Sequence, residues 1–213
     1  MAWFYYINKI IVISLMHLLT RWKVEGKENV PGSGSLLVIA NHLSLADPPV
    51  LGISIRRKVV YMAKEELFQT RLSSYFVRYF AFPVRRGKVT RDALKHTEQS
   101  LARNLAVIMF PEGSRSPNHR LQPGFLGSAL IASRINTTVL PVGITGTEVI
   151  KGIGWYLRRP KITVKIGRPF KPPISGKLTR PELTRLTEFM MERIAALLPT
   201  EYGGNFSAEK VNK

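Results

Sequence analysis

The run Asn41-His42-Leu43-Ser44-Leu45-Ala46-Asp47 sets a histidine and a carboxylate five positions apart, between an apolar stretch and a proline pair. Five residues of α-helix turn through about 500°, so on a helix the two side chains would diverge by roughly 140°. The spacing therefore predicts a loop. Leu36 to Ala40 reads as a buried strand leading into it, and Asp47 before Pro48 reads as an N-cap at a helix start. In that arrangement the carboxylate accepts a hydrogen bond from one imidazole nitrogen and leaves the other as a base. Ser44 is a loop residue rather than a nucleophile, because the chain holds no Gly-x-Ser-x-Gly elbow. A metal site is disfavoured: His42 and Asp47 are two ligands without a third. The absence of cysteine excludes disulfides, thiolate zinc sites and a cysteine nucleophile.

Three further clusters lie at predicted strand ends, where open α/β sheets place their sites. They are Phe82-Pro83-Val84-Arg85-Arg86-Gly87, Phe110-Pro111-Glu112-Gly113-Ser114-Arg115-Ser116 and Val139-Leu140-Pro141-Val142-Gly143-Ile144. Taken singly, Arg85 and Arg115 read as solvated surface charges and Pro141 as an ordinary edge-strand residue. Lys64, after a predicted strand, reads equally as an anion contact or as a surface lysine at a helix start.

The elements that must position these residues alternate along the chain. Strands are expected at 36–40, 59–63, 106–110, 138–144 and 162–166, and helices at 49–55, 71–80, 90–103 and 125–133. A last helix is signalled by a capping box of Thr179 and Glu182, an apolar stripe of Leu183, Leu186, Met190, Ile194 and Leu197, and Pro199 beyond. The pattern predicts a single-domain αβ sandwich with a central, mostly parallel or mixed sheet flanked by helices. The chain has 213 residues, 45% of them apolar, which suffices for one domain with a sizeable core.

Lys and Arg outnumber Asp and Glu by 32 to 14, a formal charge of +18 with a pI near 10.6, so the expected partners are anionic. Charge alone leaves nucleic acid, an anionic bilayer and phosphate-bearing small molecules open. The N-terminus narrows the choice. Ala2 to Leu19 is almost wholly apolar, begins with Trp3, Phe4, Tyr5 and Tyr6, and is followed by Arg21 and Lys23. On a helical wheel Lys9, Ser14, His17, Thr20 and Arg21 gather within roughly 140°. This favours an in-plane interfacial helix over a single span, with the following domain on the cytoplasmic side. No basic leader region or small-residue cleavage site marks a signal peptide.

Taken together and in order, the four clusters resemble the glycerophospholipid acyltransferase family, of the lysophosphatidate-acylating type. Its Asn-His-x4-Asp block is matched by Asn41, His42 and Asp47. Its arginine following an aromatic is matched by Phe82 and Arg85, with Arg86 as the competing assignment. Its Phe-Pro-Glu-Gly-Thr-Arg-Ser block is matched from Phe110 to Ser116 with Ser114 in place of threonine, and its hydrophobic-proline-hydrophobic strand by Leu140, Pro141 and Val142. The resemblance runs from about Val24 to Arg168.

What the resemblance implies is transfer of a fatty acyl group from acyl-CoA or acyl-carrier protein to the free sn-2 hydroxyl of 1-acyl-sn-glycerol 3-phosphate, forming phosphatidic acid. His42 would be the general base and Asp47 its orienter. Arg85 and Arg115 would hold the acceptor's phosphate, Gly113 would let the backbone turn tightly beside the substrate, and Glu112 would support Arg115. Asn41, Arg86, Lys64, Ser114 and Pro141 are secondary candidates. No bound cofactor, metal or nucleic acid is expected, and the location implied is the cell membrane. The corresponding division is a membrane-associating segment over 1–23, a catalytic domain over 24–200 and a mobile polar tail over 201–213. The alternatives are another acceptor, glycerol 3-phosphate or a different lysolipid, and, outside enzymes, a basic nucleic-acid-binding protein or an inactive membrane scaffold.

Overall fold

The computed structural model describes residues 2–64, 81–84, 91–152 and 154–206. Among these, seven strands form one sheet: β1 (Arg21–Glu25), β2 (Leu36–Ala40), β3 (Val59–Lys64), β4 (Ala81–Val84), β5 (Ala106–Met109), β6 (Thr138–Thr145) and β7 (Lys161–Ile166). Their order is β1-β7-β6-β2-β5-β3-β4. The neighbours from β6 to β4 are parallel, β7 runs antiparallel to β6, and β1 runs parallel to β7. The helices are α1 (Ala2–Leu19), α2 (Asp47–Ser54), α3 (Arg91–Ala102), α4 (Gly127–Ile135), α5 (Arg180–Ala195) and the short α6 (Thr200–Gly203). The fold is the expected α/β sandwich with a mixed sheet.

Central strands of such a sheet are buried on both faces, so they read as unbroken apolar runs with side chains alternating between two cores. Leu36, Val38 and Ala40 of β2 join Ala106 and Ile108 of β5 and Leu140, Val142 and Ile144 of β6 on one face, under α1 and α2. Leu37, Ile39, Val107, Met109 and Val139 point to the other face, where Leu101 of α3, Ala129, Ile131 and Ala132 of α4, and Leu183, Leu186, Met190 and Ile194 of α5 cover them. The α5 start follows the capping-box expectation: the Thr179 N–H donates to Glu182 Oε2 at 2.7 Å.

Two strands escaped the sequence reading, and both are edges. Arg21 and Lys23 look like basic flanks of a membrane helix, yet Arg21, Trp22 and Lys23 open β1, whose alternating charges suit an exposed sheet edge. The 23/24 boundary therefore cuts a strand. Pro83 disguises β4, an edge where one face of the backbone needs no ladder donor. The expected helix at 71–80 lies outside the described residues.

Pro141 is not an edge residue. It lies opposite Ile39, third strand from the β1 edge, and is tolerated because the ladder to β7 breaks beside it. Pairing stops at Ile166, Gly167 donates its N–H to the Pro141 carbonyl at 2.9 Å, and contact resumes as a bridge between Val139 and Phe170. A Cβ on Gly167 would lie 3.0 Å from Pro141 Cγ, so glycine is what lets the ring fit.

The polar side of α1 is also corrected. Lys9, Val12, Ile13, Met16 and Thr20 turn toward the domain: Lys9 Nζ donates to the Ile55 carbonyl and the Thr20 hydroxyl to the Met16 carbonyl. Burial pulls the Lys9 ammonium below its ordinary pKa. Among the described side chains, the outward face carries Ile7, Ile10, Ile11, Leu15 and Leu18, with Ser14 and His17 between them. A helix wheel assigns polar residues to water by default, whereas here the domain offers Lys9 a carbonyl and Thr20 bonds back to the last turns of its own helix. No helix among the described residues is long and apolar enough to cross a membrane. At the other end, the segment expected as a mobile tail is folded as far as Phe206, through α6 and a 3-10 turn over Gly204–Phe206.

Candidate active site

Because β2, β3, β4, β5 and β6 are mutually parallel, their C-terminal ends share one edge of the sheet. Two of the sequence clusters, those of His42 and Glu112, are brought together there for that reason. His42 lies two residues beyond β2, Glu112 three beyond β5 and Thr147 two beyond β6, while Lys64 is the last residue of β3. Arg85 and Arg86 follow β4 in sequence and lie outside the described residues, as does the Lys64 side chain.

Asn41 anchors the departure from β2. Its buried side chain donates to the Ile144 carbonyl at 2.8 Å and accepts the Ile144 N–H at 2.7 Å, so β2 is held to β6 one residue past the end of its backbone ladder. An asparagine offers the donor and acceptor that one peptide group of β6 needs. Its role is to fix where His42 begins.

His42 Nδ1 lies 2.7 Å from Asp47 Oδ2. The carboxylate is fully buried and has no lysine or arginine partner among the described residues; four donors satisfy it. Oδ2 takes the imidazole and the N–H groups of Leu43 at 2.6 Å and Ser44 at 2.7 Å, and Oδ1 takes the Thr147 hydroxyl. Asp47 is the first residue of α2 rather than its N-cap, and its side chain turns back to organise the loop before the helix. An acceptor-only group at Nδ1 fixes the N–H there, which leaves the lone pair of the neutral ring on Nε2. Stacking on Phe110, with centroids 4.1 Å apart, limits ring rotation.

The loop after β5 grips His42 by its backbone. The His42 N–H donates to Glu112 Oε1 at 2.6 Å, and its carbonyl accepts the Ser116 N–H at 2.8 Å. The second Glu112 oxygen accepts the Gln122 N–H at 2.9 Å. Glu112 thus has both oxygens committed and does not hold Arg115, contrary to expectation. Gly113 explains the separation: at φ 68° it turns the chain, so that Pro111 and Glu112 point inward while Ser114 and Arg115 are exposed. A Cβ there would meet the Phe125 ring at 2.9 Å, so the tight turn expected of Gly113 also needs its lack of a side chain. Burial pushes the Glu112 carboxyl up to about 7; the Gln122 and His42 N–H donors oppose the rise and the Asp47 charge adds to it.

Thr147, Ser116 and Gln122 were not legible as site residues. Thr147 lies a hundred residues from Asp47 and Ser116 bonds the distant His42 carbonyl, so the strand order brings those pairs together, whereas Gln122 reaches Glu112 from ten positions further along the chain. Among the described residues no group of three or more His, Asp or Glu side chains is placed to hold a metal ion.

Comparison with known proteins adds to this geometry. The family model described as Acyltransferase matches residues 21–145. A 1-acyl-sn-glycerol-3-phosphate acyltransferase of Bacillus subtilis (strain 168) is 29% identical over 178 residues, covering 82% of this chain and 87% of that protein. The chloroplastic 1-acyl-sn-glycerol-3-phosphate acyltransferase LPAT1 of Arabidopsis thaliana is 26% identical over 173 residues, 78% of this chain, and the match spans 48% of the plant protein's length. Among solved structures, the 1-acyl-sn-glycerophosphate (LPA) acyltransferase PlsC from Thermotoga maritima superposes with a TM-score of 0.64 at 30% identity, over 84% of this chain and 72% of that one.

The raised Glu112 carboxyl makes a signed prediction. The folded chain binds this proton more tightly than the unfolded chain, so the associated stability is fully present below about pH 4.5 and is lost as pH rises through about 7. The difference is about 3 kcal/mol. Chemical denaturation from pH 4.5 to 8 is expected to show that decline in the wild type and to lack it in Glu112→Gln, and the Glu112 carboxyl carbon is expected to titrate near pH 7 by NMR.

Proposed function

The chain belongs to the Acyltransferase family, and on that footing we propose that it moves a fatty acyl group from a thioester to the sn-2 hydroxyl of 1-acyl-sn-glycerol 3-phosphate, yielding phosphatidic acid. The observation that carries the reading is the buried Asp47 holding His42 Nδ1 at the edge of the sheet. The printed names of the relatives support the choice of acceptor.

In this mechanism His42 Nε2 takes the proton of the sn-2 hydroxyl as its oxygen attacks the thioester carbonyl. The C–O bond forms, the tetrahedral intermediate collapses with cleavage of the C–S bond, and the imidazolium returns its proton to the departing sulfur. The products are an ester and a free thiol, with no acyl-enzyme. Asp47 stabilises the transient imidazolium and keeps it oriented. A base so placed is typically worth 10²- to 10⁴-fold, about 3 to 5 kcal/mol of barrier. The exposed Arg115, carried outward by Gly113, and Arg85 are assigned to the acceptor's phosphate, where planar guanidinium groups make bidentate, charge-assisted hydrogen bonds. The donor thioester is that of CoA or acyl-carrier protein; both are acidic, in keeping with the charge of +18.

The acceptor is a lipid, and the surface supports docking on the cytoplasmic face of an anionic membrane. The outward face of α1 exposes Ile10 at 62% and Leu18 at 68%. Near its C-terminal end the 3-10 turn Trp155–Arg158 exposes Leu157 at 78%, and Arg159 donates to the His17 carbonyl at 3.1 Å. Arg21, Arg158, Arg159 and Lys161 are exposed around this patch. Apolar residues that enter the interface, ringed by cations that meet lipid headgroups, give an in-plane docking surface.

Two outcomes are expected. Purified protein given labelled acyl-CoA or acyl-carrier protein with a panel of lysolipids forms labelled phosphatidate, and His42→Ala lowers turnover by roughly 10²-fold or more with the fold intact by circular dichroism; no transfer with any pair contradicts the reading. In flotation with vesicles containing anionic lipid, the protein rises with the lipid, and Leu18→Ser combined with Leu157→Ser weakens binding by roughly tenfold or more.

A further inference from the structure

The site is closed from behind by a segment that lies outside the matched family region. Tyr202, in α6, makes two contacts with separate arms of the site. Its hydroxyl donates to Glu148 Oε1 at 2.7 Å, and Glu148 is the neighbour of Thr147, which holds Asp47 Oδ1. Its carbonyl accepts the Leu121 N–H at 2.8 Å, and Leu121 is the neighbour of Gln122, whose N–H holds Glu112 and through it the His42 backbone. The two arms are the turn after β6 and the loop after β5, and they meet again at His42 and Asp47. The circuit is closed: His42, Asp47, Thr147, Glu148, Tyr202, Leu121, Gln122, Glu112 and back to His42.

We propose that Tyr202 is a positioning residue for the His42–Asp47 pair, fixing both arms of the site from the C-terminal segment. The inference rests on the reading of that pair as the catalytic base and its orienter. Two further observations show that the contact is built for this one side chain. The other Glu148 oxygen, Oε2, is buried and has no partner among the described residues, so the phenol is the side-chain donor that this half-buried carboxylate has there. The fit is also backbone-specific: Gly204 takes φ 59°, and a Cβ there would lie 2.4 Å from the Leu121 carbonyl oxygen. Removing the hydroxyl would take from the half-buried Glu148 carboxylate its side-chain donor, and the turn bearing Thr147 would be free to shift away from Asp47. Base catalysis depends on geometry held within about half an ångström, so such a shift reads out in turnover rather than in substrate binding.

The test is Tyr202→Phe in the full chain, which keeps the ring and loses only the hydroxyl. With acyl thioester and 1-acyl-sn-glycerol 3-phosphate, kcat is expected to fall roughly tenfold with KM within about twofold of the wild type. In the free enzyme the imidazole nitrogen shifts of His42 are expected to move from a single Nδ1–H tautomer toward a mixture, a change that a loss of general stability would not produce. Glu148→Ala, which removes the acceptor, is expected to reproduce both effects. Combining Tyr202→Phe with Thr147→Val is expected to lose no more than Thr147→Val alone, because both act on one chain of contacts. Unchanged kcat with unchanged nitrogen shifts, or losses that multiply in the double variant, overturn the proposal. An inactive wild type would count against the acyltransferase reading instead, and the nitrogen shifts would still decide the role of Tyr202.

Discussion

A carboxylate taken wholly out of water has to be compensated, and among the described residues Asp47 is compensated by four hydrogen-bond donors, with no lysine or arginine beside it. That constraint orders the site. Three of its four donors come from the loop that carries His42, and the fourth comes from the turn after β6. The charge can stay buried only while the loop keeps the one shape that presents those donors, and in that shape the imidazole is delivered to the carboxylate with its tautomer set. The interaction that makes the acid tolerable is also the one that orients the imidazole proposed as the base.

The sheet supplies the rest. Parallel strands leave their loops at a common edge, so residues scattered between 41 and 147 converge without any local sequence relation. Each loop is then tied to another: Asn41 to β6, Glu112 and Ser116 to the His42 backbone, and Thr147 to Asp47. The loops are therefore cross-braced by polar bonds, and Gly113 turns Arg115 outward to solvent.

The core strands were legible because burial on both faces demands an apolar run, and β2, β5 and β6 have one. The two edge strands were not, because an edge tolerates charge and proline: β1 reads as a membrane flank, and Pro83 masks β4. The His42–Asp47 pairing was legible because five residues on a loop bring both groups within reach. Glu112 was misassigned because proximity in sequence suggested Arg115 as its partner, whereas Gly113 turns the two apart and the neighbouring strand brings the His42 N–H nearer. Thr147 and Tyr202 carried no local signal at all, since their partners are distant in the chain. The polar residues of α1 misled for a related reason: an amphipathic wheel knows nothing of a domain surface that offers carbonyl oxygens to Lys9.

The central claim is that the charge on Asp47, through the His42 Nδ1–H, makes Nε2 an effective base. Its most direct test is the kcat of Asp47→Asn, a change that keeps the shape of the side chain while removing its charge. A fall of roughly 10²- to 10⁴-fold, with the acceptor KM and the thermal transition near those of the wild type, is the predicted result. Turnover within threefold of the wild type would contradict it.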